Sequence, residues 1–147
     1  MPTRTARTAW NGTLEHGAGQ IELTSSRIGT YDVSFPKRAA DDADGTTSPE
    51  ELIAAAHSAC FAMQLSAEIA QRGGTPEALD VRADVSLGPD PVRGGFQLTG
   101  IRLTVRGEVG GLDEAGFLDA AGAAKASCPV SRALTGVEIT LDAALEA

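Results

Sequence analysis

The sequence predicts an α+β fold, with antiparallel sheets wrapped around two central helices, on three observations. Two stretches, Val81 to Leu87 and Phe96 to Val109, alternate apolar and polar residues. A period of two sends one face of a strand inward and the other to water. Ser48-Pro49-Glu50-Glu51 opens an Ala-rich apolar run that Gly73-Gly74 closes, the pattern of a capped helix. Asp113 opens a second Ala-rich run to about Ala126, again with a capping side chain in place. Strands grouped in runs, not alternating with helices one by one, point to α+β.

In chain order, residues 3–9 and 20–25 read as strands, with Gly17-Ala18-Gly19 as the turn between them. Thr30 to Ser34 adds a third. Arg38 to Thr47 carries Asp41, Asp42 and Asp44 among small residues and is expected as a loop. In the helix that follows, Ser48 can accept from the backbone N–H three residues on, and Glu51 can reach back. Pro49 suits the first helical position, where a missing donor costs nothing. The run to about Arg72 is apolar on more than one face, so this helix is expected to be nearly surrounded by protein. Pro89-Asp90-Pro91 and Gly94-Gly95 bracket the loop between the two alternating strands. Cys128-Pro129-Val130-Ser131 begins a short helical turn, and Val137 to Leu145 closes the chain as a strand.

A length of 147 residues suits one domain, residues 1–147, with a core of its own. The 12 basic and 20 acidic side chains give a net charge of −8, with no basic run. Binding to a nucleic-acid backbone needs clustered Lys and Arg and is not expected. An anionic membrane surface is disfavoured for the same reason. Met1 to Trp10 lacks the apolar segment of an export signal. Leu52 to Met63, the most apolar stretch, is interrupted by His57 and Ser58 and is too short to span a bilayer. A soluble cytoplasmic protein is therefore expected. There is no G-x-G-x-x-G and no Walker loop, so no cofactor is expected.

Cys60 and Cys128 are the only thiols, and in a reducing compartment they are not a permanent staple. Cys60 lies inside the apolar helix with His57 one turn earlier on the same face. A cysteine there can be a small hydrophobe or a nucleophile. Cys128 precedes a proline at a helix start, where unpaired N–H groups and the helix dipole favour a thiolate. A zinc site would need a fourth ligand beside His57, Cys60 and Cys128, and no Cys-x-x-Cys pair supplies one.

The run Ser48-Pro49-Glu50-Glu51-Leu52-Ile53-Ala54-Ala55-Ala56-His57-Ser58-Ala59-Cys60-Phe61 resembles the helix signature of the OsmC/Ohr family. Cys128-Pro129-Val130-Ser131 with Ala133-Leu134 is similar to its second motif, Trp10-Asn11-Gly12 to its W-x-G, and Val81 to Leu87 to one of its strands. His57 and the Pro-Val-Ser wording favour the OsmC branch. The resemblance implies an intertwined homodimer and a thiol peroxidase acting on organic hydroperoxides. It implies that Cys60 attacks the peroxide and becomes a sulfenic acid, which Cys128 resolves to an intramolecular disulfide. A dithiol reductant such as dihydrolipoamide would then restore both thiols. The family places an Arg and a Glu beside the peroxidatic thiol. The Glu maps onto Glu50, with Glu51 as a cap, and the Arg onto Arg38, with Lys37 as competitor.

That pairing makes physical sense, because a thiol in an apolar helix is inert unless a cation steadies its thiolate. Arg keeps its charge when desolvated and can grip a carboxylate as a fork. Glu50 and Cys60 are ten residues apart, roughly 15 Å of rise on a straight helix. One Arg is not expected to touch both within one subunit, so Arg38 and Glu50 are expected to serve the Cys60 of a second subunit. His57 is read as a packed or hydrogen-bonded residue near the site. The alternative to an enzyme is a hydrophobic-ligand binder or redox sensor on the same fold.

Overall fold

Residues 1–146 are described by a computed structural model, in which two compact units, Met1–Leu52 and Ile53 onward, are set apart by their internal contacts. In the first unit, β1 (Arg7–Asn11), β2 (Ala18–Glu22) and β3 (Thr30–Val33) form an antiparallel sheet in that order. The turn predicted at Gly17-Ala18-Gly19 lies earlier, because Gly19 is inside β2 opposite Trp10. A Cβ on Gly19 would sit 2.9 Å from the Trp10 ring. Gly19 is thus a seat for an indole, not a turn residue.

The stretch after β3 begins with a helix that the sequence reading passed over, α1 (Phe35–Arg38). Ser34 caps it, accepting from the Lys37 N–H, and Pro36 sits in its first turn. Thr47 N then donates to the Asp32 carbonyl, which ties the end of the acidic loop to β3.

The long helix α2 covers Pro49–Gln71, and its start is capped as predicted, with Glu51 N donating to Ser48 Oγ at 3.1 Å. Glu51 does not reach back; its carboxylate accepts from the Thr47 hydroxyl. Gly73 ends the helix at φ +81°, a conformation open to glycine, while Gly74 N donates to the Ile69 carbonyl. Length and composition alone would let α2 cross a bilayer, because its apolar character runs on past Met63. The core helix of a soluble domain meets the same criterion, and one stripe of α2 is core.

That stripe is His57, Phe61, Leu65 and Ile69, all without solvent exposure, at the four-residue spacing of one helix face. The rest of α2 is not surrounded by protein within this chain, contrary to expectation. Ala55, Ala56, Ala59, Met63, Ala67 and Ala70 are exposed, Met63 at 74%.

In the second unit, β4 (Thr75–Pro89) and β5 (Phe96–Gly110) pair as a long antiparallel hairpin, with bulges at Pro76/Ala78 and Ser86/Leu87. Asp90 caps its turn, accepting from the N–H groups of Val92 and Arg93. The last strand, β6 (Ile139–Glu146), pairs with β5 in parallel, so this sheet is antiparallel only in its first pair. Between them run α3 (Glu114–Ser127) and α4 (Pro129–Ala133). Asp113 caps α3 from Gly116 N at 2.8 Å. The core brings Phe61, Leu65 and Ile69 of α2 together with Leu103 and Val105 of β5, and with Phe117, Ala120, Ala121 and Ala124 of α3. Alanines on α3 allow close helix packing. Cys128 belongs to the same core.

Candidate active site

The predicted site residues fall into two pairs, one in each unit. In the first unit Arg38, the last residue of α1, grips Glu50 in the first turn of α2. Arg38 Nη2 lies 2.7 Å from Glu50 Oε1, and Nε lies 3.1 and 3.2 Å from Oε1 and Oε2. Such a fork fixes the guanidinium plane as a lysine could not. Glu50 is only 7% exposed, so loss of Arg38 would leave a buried carboxylate without its partner. Lys37, the competitor, points elsewhere and pairs with Asp44 at 2.8 Å. Arg38 also forms part of the wall of a cavity of about 220 Å³ otherwise lined by Trp10, Leu14, Ile21, Val33, Phe35 and their neighbours. A cation at the edge of an apolar pocket suits a ligand with an alkyl body and a polar, oxygen-bearing end.

In the second unit the two sulfurs meet. Cys60 Sγ and Cys128 Sγ are 3.2 Å apart, both as free thiols. Cys60 is half-buried, whereas Cys128 has no solvent exposure. Burial pushes the Cys60 thiol up, and the neighbouring Cys128 adds to this, while the Val130 N–H pulls the other way. Cys128 is buried too, but the N–H and hydroxyl of Ser131, the Cys60 thiol and the Val130 N–H together hold it below its ordinary value. Cys128 is therefore the more acidic thiol within this unit. The helix-start argument named two causes, and the first of them acts: the N–H groups of Val130 and Ser131 are the first-turn donors of α4. With five residues, α4 has no long helix dipole to add.

His57 projects from α2 into this site. It is fully buried, and its Nε2 lies 2.6 Å from Ser131 Oγ. Its Nδ1 is the one buried side-chain nitrogen or oxygen without a partner among the described residues. Ser131, 4% exposed, is the residue that sequence reasoning missed. The available signal was its position three residues after Cys128 in a helix-start motif. Among the described residues no group of three His, Cys, Asp or Glu is placed to hold a metal ion.

Burial lowers the His57 pKa from the ordinary 6.5. An unfolded His57 takes up its proton near 6.5, and the folded one only at lower pH. Below 6.5 the unfolded state binds more protons, so stability is full above that pH and falls as pH drops through it toward the folded value. Urea midpoints should hold steady above about pH 7.5 and decline as the pH falls below about 6.5. His57→Gln should flatten that decline; an unchanged slope would mean another group sets it.

Residues 41–142 match the family model of OsmC-like proteins. Peroxiredoxin OsmC of Escherichia coli strain K12 is 41% identical over 133 residues, 90% of each chain. The chain belongs to the OsmC-like family. It is a peroxiredoxin-like peroxidase, as its curated relatives and its fold both indicate. Among solved structures, the organic hydroperoxide resistance protein OhrB of Bacillus subtilis is 28% identical with a TM-score of 0.74, covering 95% of this chain and 97% of that one. An organic hydroperoxide resistance protein from Elizabethkingia anophelis, with crystallant-derived thiocyanate bound, is 27% identical with a TM-score of 0.78, covering 99% and 98%.

Proposed function

We propose that this chain, one domain over residues 1–147, reduces organic hydroperoxides with Cys60 as the peroxidatic thiol and Cys128 as the resolving thiol. The observation that carries the reading is the 3.2 Å thiol pair of which only Cys60 meets solvent. A peroxide can reach Cys60, and Cys128 waits behind it. The Cys60 thiolate attacks one peroxide oxygen, the O–O bond breaks, and the alcohol leaves with a proton. Cys60 becomes a sulfenic acid. Cys128 then displaces the sulfenic oxygen as water and forms the disulfide. A dithiol such as dihydrolipoamide reduces it by exchange and closes its own disulfide in turn.

An organic substrate is supported by the apolar cavity beside Arg38 and by the names of the relatives, which include organic hydroperoxide resistance proteins. Cys60 needs a cation, since its thiol is pushed up by burial, and the Arg38–Glu50 pair is the one built to supply it. We assign that pair to the Cys60 of a second copy, in a homodimer that covers the exposed apolar face of α2. The protein then works as a soluble cytoplasmic enzyme without cofactor, nucleic acid or membrane.

The test is loss of cumene hydroperoxide with dihydrolipoamide as reductant, combined with intact mass after one peroxide equivalent. Wild type should turn over and Cys60→Ser should fall to the uncatalysed rate. Cys128→Ser should stall after one turnover with one oxygen added. A dead Cys128→Ser that takes up no oxygen would reverse the two roles. A wild type without turnover would favour the ligand-binder or redox-sensor reading.

A further inference from the structure

The reaction above has no stated use for His57 or Ser131, yet both are buried against its thiols. His57 comes from α2 and Ser131 from α4, 74 residues apart, and their 2.6 Å contact joins these elements beside the sulfurs. Ser131 stands three residues after Cys128 in the first turn of α4, its hydroxyl is among the groups that hold the Cys128 thiol below its ordinary value, and the same oxygen lies against His57 Nε2.

The unpartnered Nδ1 decides which way the hydrogens point. A neutral imidazole carries one proton, on Nδ1 or on Nε2. With the proton on Nδ1, a buried N–H would have no acceptor, and orphaned buried N–H groups are rarer than unfilled acceptors. With the proton on Nε2, the ring donates to Ser131 Oγ and leaves only a bare acceptor unmet. Ser131 Oγ, its lone pair filled by His57, turns its own hydrogen toward Cys128. Hydrogen bonds in such a series polarise one another.

We propose that His57 Nε2–H, Ser131 Oγ–H and Cys128 Sγ form a donor chain that holds Cys128 as an aimed thiolate for attack on the Cys60 sulfenic acid. Ser131 acts on the resolving sulfur through its hydroxyl and His57 acts through Ser131, so both are positioning residues. The inference rests on the reading of Cys60 as peroxidatic and Cys128 as resolving. In the step, the Cys128 sulfur lone pair forms the S–S bond as the Cys60 S–O bond breaks. The oxygen leaves as hydroxide and takes the proton that Cys128 had released, giving water. His57 stays neutral throughout, which its full burial favours.

The thiolate-stabilising bond gives the expected size. A hydrogen bond to a charged group corresponds to about one to two pKa units. Removing it should raise the Cys128 titration by about that much, read by ultraviolet thiolate absorbance in a Cys60→Ser background. Lost thiolate slows attack, but a more basic sulfur is a better nucleophile and offsets about half of the loss. Disulfide formation near neutral pH should therefore slow about three- to tenfold.

The experiment follows single turnovers of the full chain with one equivalent of cumene hydroperoxide, separating peroxide loss from disulfide formation. Ser131→Ala and His57→Leu should slow disulfide formation more than they change peroxide loss, and should raise the Cys128 titration. Ser131→Thr keeps the hydroxyl, and His57→Gln keeps an N–H near the Nε2 position; both should return toward wild type. If Ser131→Ala titrates and resolves like wild type, the proposal is wrong. A His57→Gln as slow as His57→Leu would overturn the donor role in favour of packing. Should His57→Leu fail to fold, the Ser131→Ala and Ser131→Thr pair decides alone. Failure of the underlying reading looks different: Cys128→Ser would then gain no oxygen, whatever Ser131 does to the Cys128 titration.

Discussion

Mixing Cys60→Ser chains with Arg38→Ala chains should restore peroxidase activity that neither has alone. On the proposed assignment each variant lacks one half of the site. Cys60→Ser would have no nucleophile, while Arg38→Ala would have a Cys60 whose thiol is pushed up by burial with no cation to oppose it. Helical rise separates Glu50 from Cys60 by roughly 15 Å along α2, and Arg38 is committed to Glu50 through a three-contact fork. If that fork serves a neighbour, a mixed dimer contains one site with both halves, Arg38 and Glu50 from the Cys60→Ser chain and Cys60 from the other. Random exchange makes half of the dimers mixed, each with one of two sites working, so about a quarter of wild-type activity returns in a two-fold assembly.

The control is a chain carrying both substitutions mixed with wild type. There the mixed dimer has no complete site if the halves come from different subunits. Activity should then drop to about a quarter of that of undiluted wild type, below the half expected for independent chains. Complementation absent after verified subunit exchange would place Arg38, Glu50 and Cys60 in one subunit. Arg38→Lys is the finer probe. It keeps the charge and loses the fork, so peroxide attack should weaken less than in Arg38→Ala but not recover fully.

How far the sequence could be read follows from which interactions are local. The caps at Ser48 and Asp113 bond backbone groups three residues away, so a short string of letters contains both partners. The alternation of Val81 to Leu87 and Phe96 to Val109 likewise carried the hairpin. Strand pairing across the fold was not legible in this way. β6 alternates like its neighbours, and nothing within it says that it runs parallel to β5. Gly19 looked like a turn because the sequence does not show the Trp10 ring that it seats. Both cysteines were found from motifs, but the bond between His57 and Ser131 crosses 74 residues and leaves no local signature. The apolar breadth of α2 was legible, and it predicted burial that one chain does not provide. That mismatch supports the proposed homodimer, in which a second copy would cover the exposed apolar face of α2.

The packing of α3 on its sheet makes the other large prediction. Phe117 has no solvent exposure and lies on α3 over Gly107 of β5. A Cβ on Gly107 would come within 2.8 Å of Phe117 Cε2 and Cζ, and 3.2 Å of Leu79 Cδ2. The glycine is the hole into which the ring fits, flanked in the sheet by Leu79 on β4 and Leu145 on β6. Gly107→Ala should therefore cost about 1–3 kcal/mol by overpacking, and Phe117→Ala about 3–5 kcal/mol through the cavity it leaves. Against a total stability of roughly 5–15 kcal/mol the second change alone removes a large part of the fold. The two should not add. Once the ring is gone, the Gly107→Ala methyl enters empty space and the double variant should be no less stable than Phe117→Ala, a coupling of about 1–3 kcal/mol. Urea unfolding of the four proteins at one fixed concentration measures it, since an assembling protein changes its midpoint with concentration. Additive losses would mean that the ring is not what Gly107 makes room for. Coupling of the expected sign would fix the start of α3 against the sheet, the helix whose far end is followed by Cys128, 3.2 Å from Cys60.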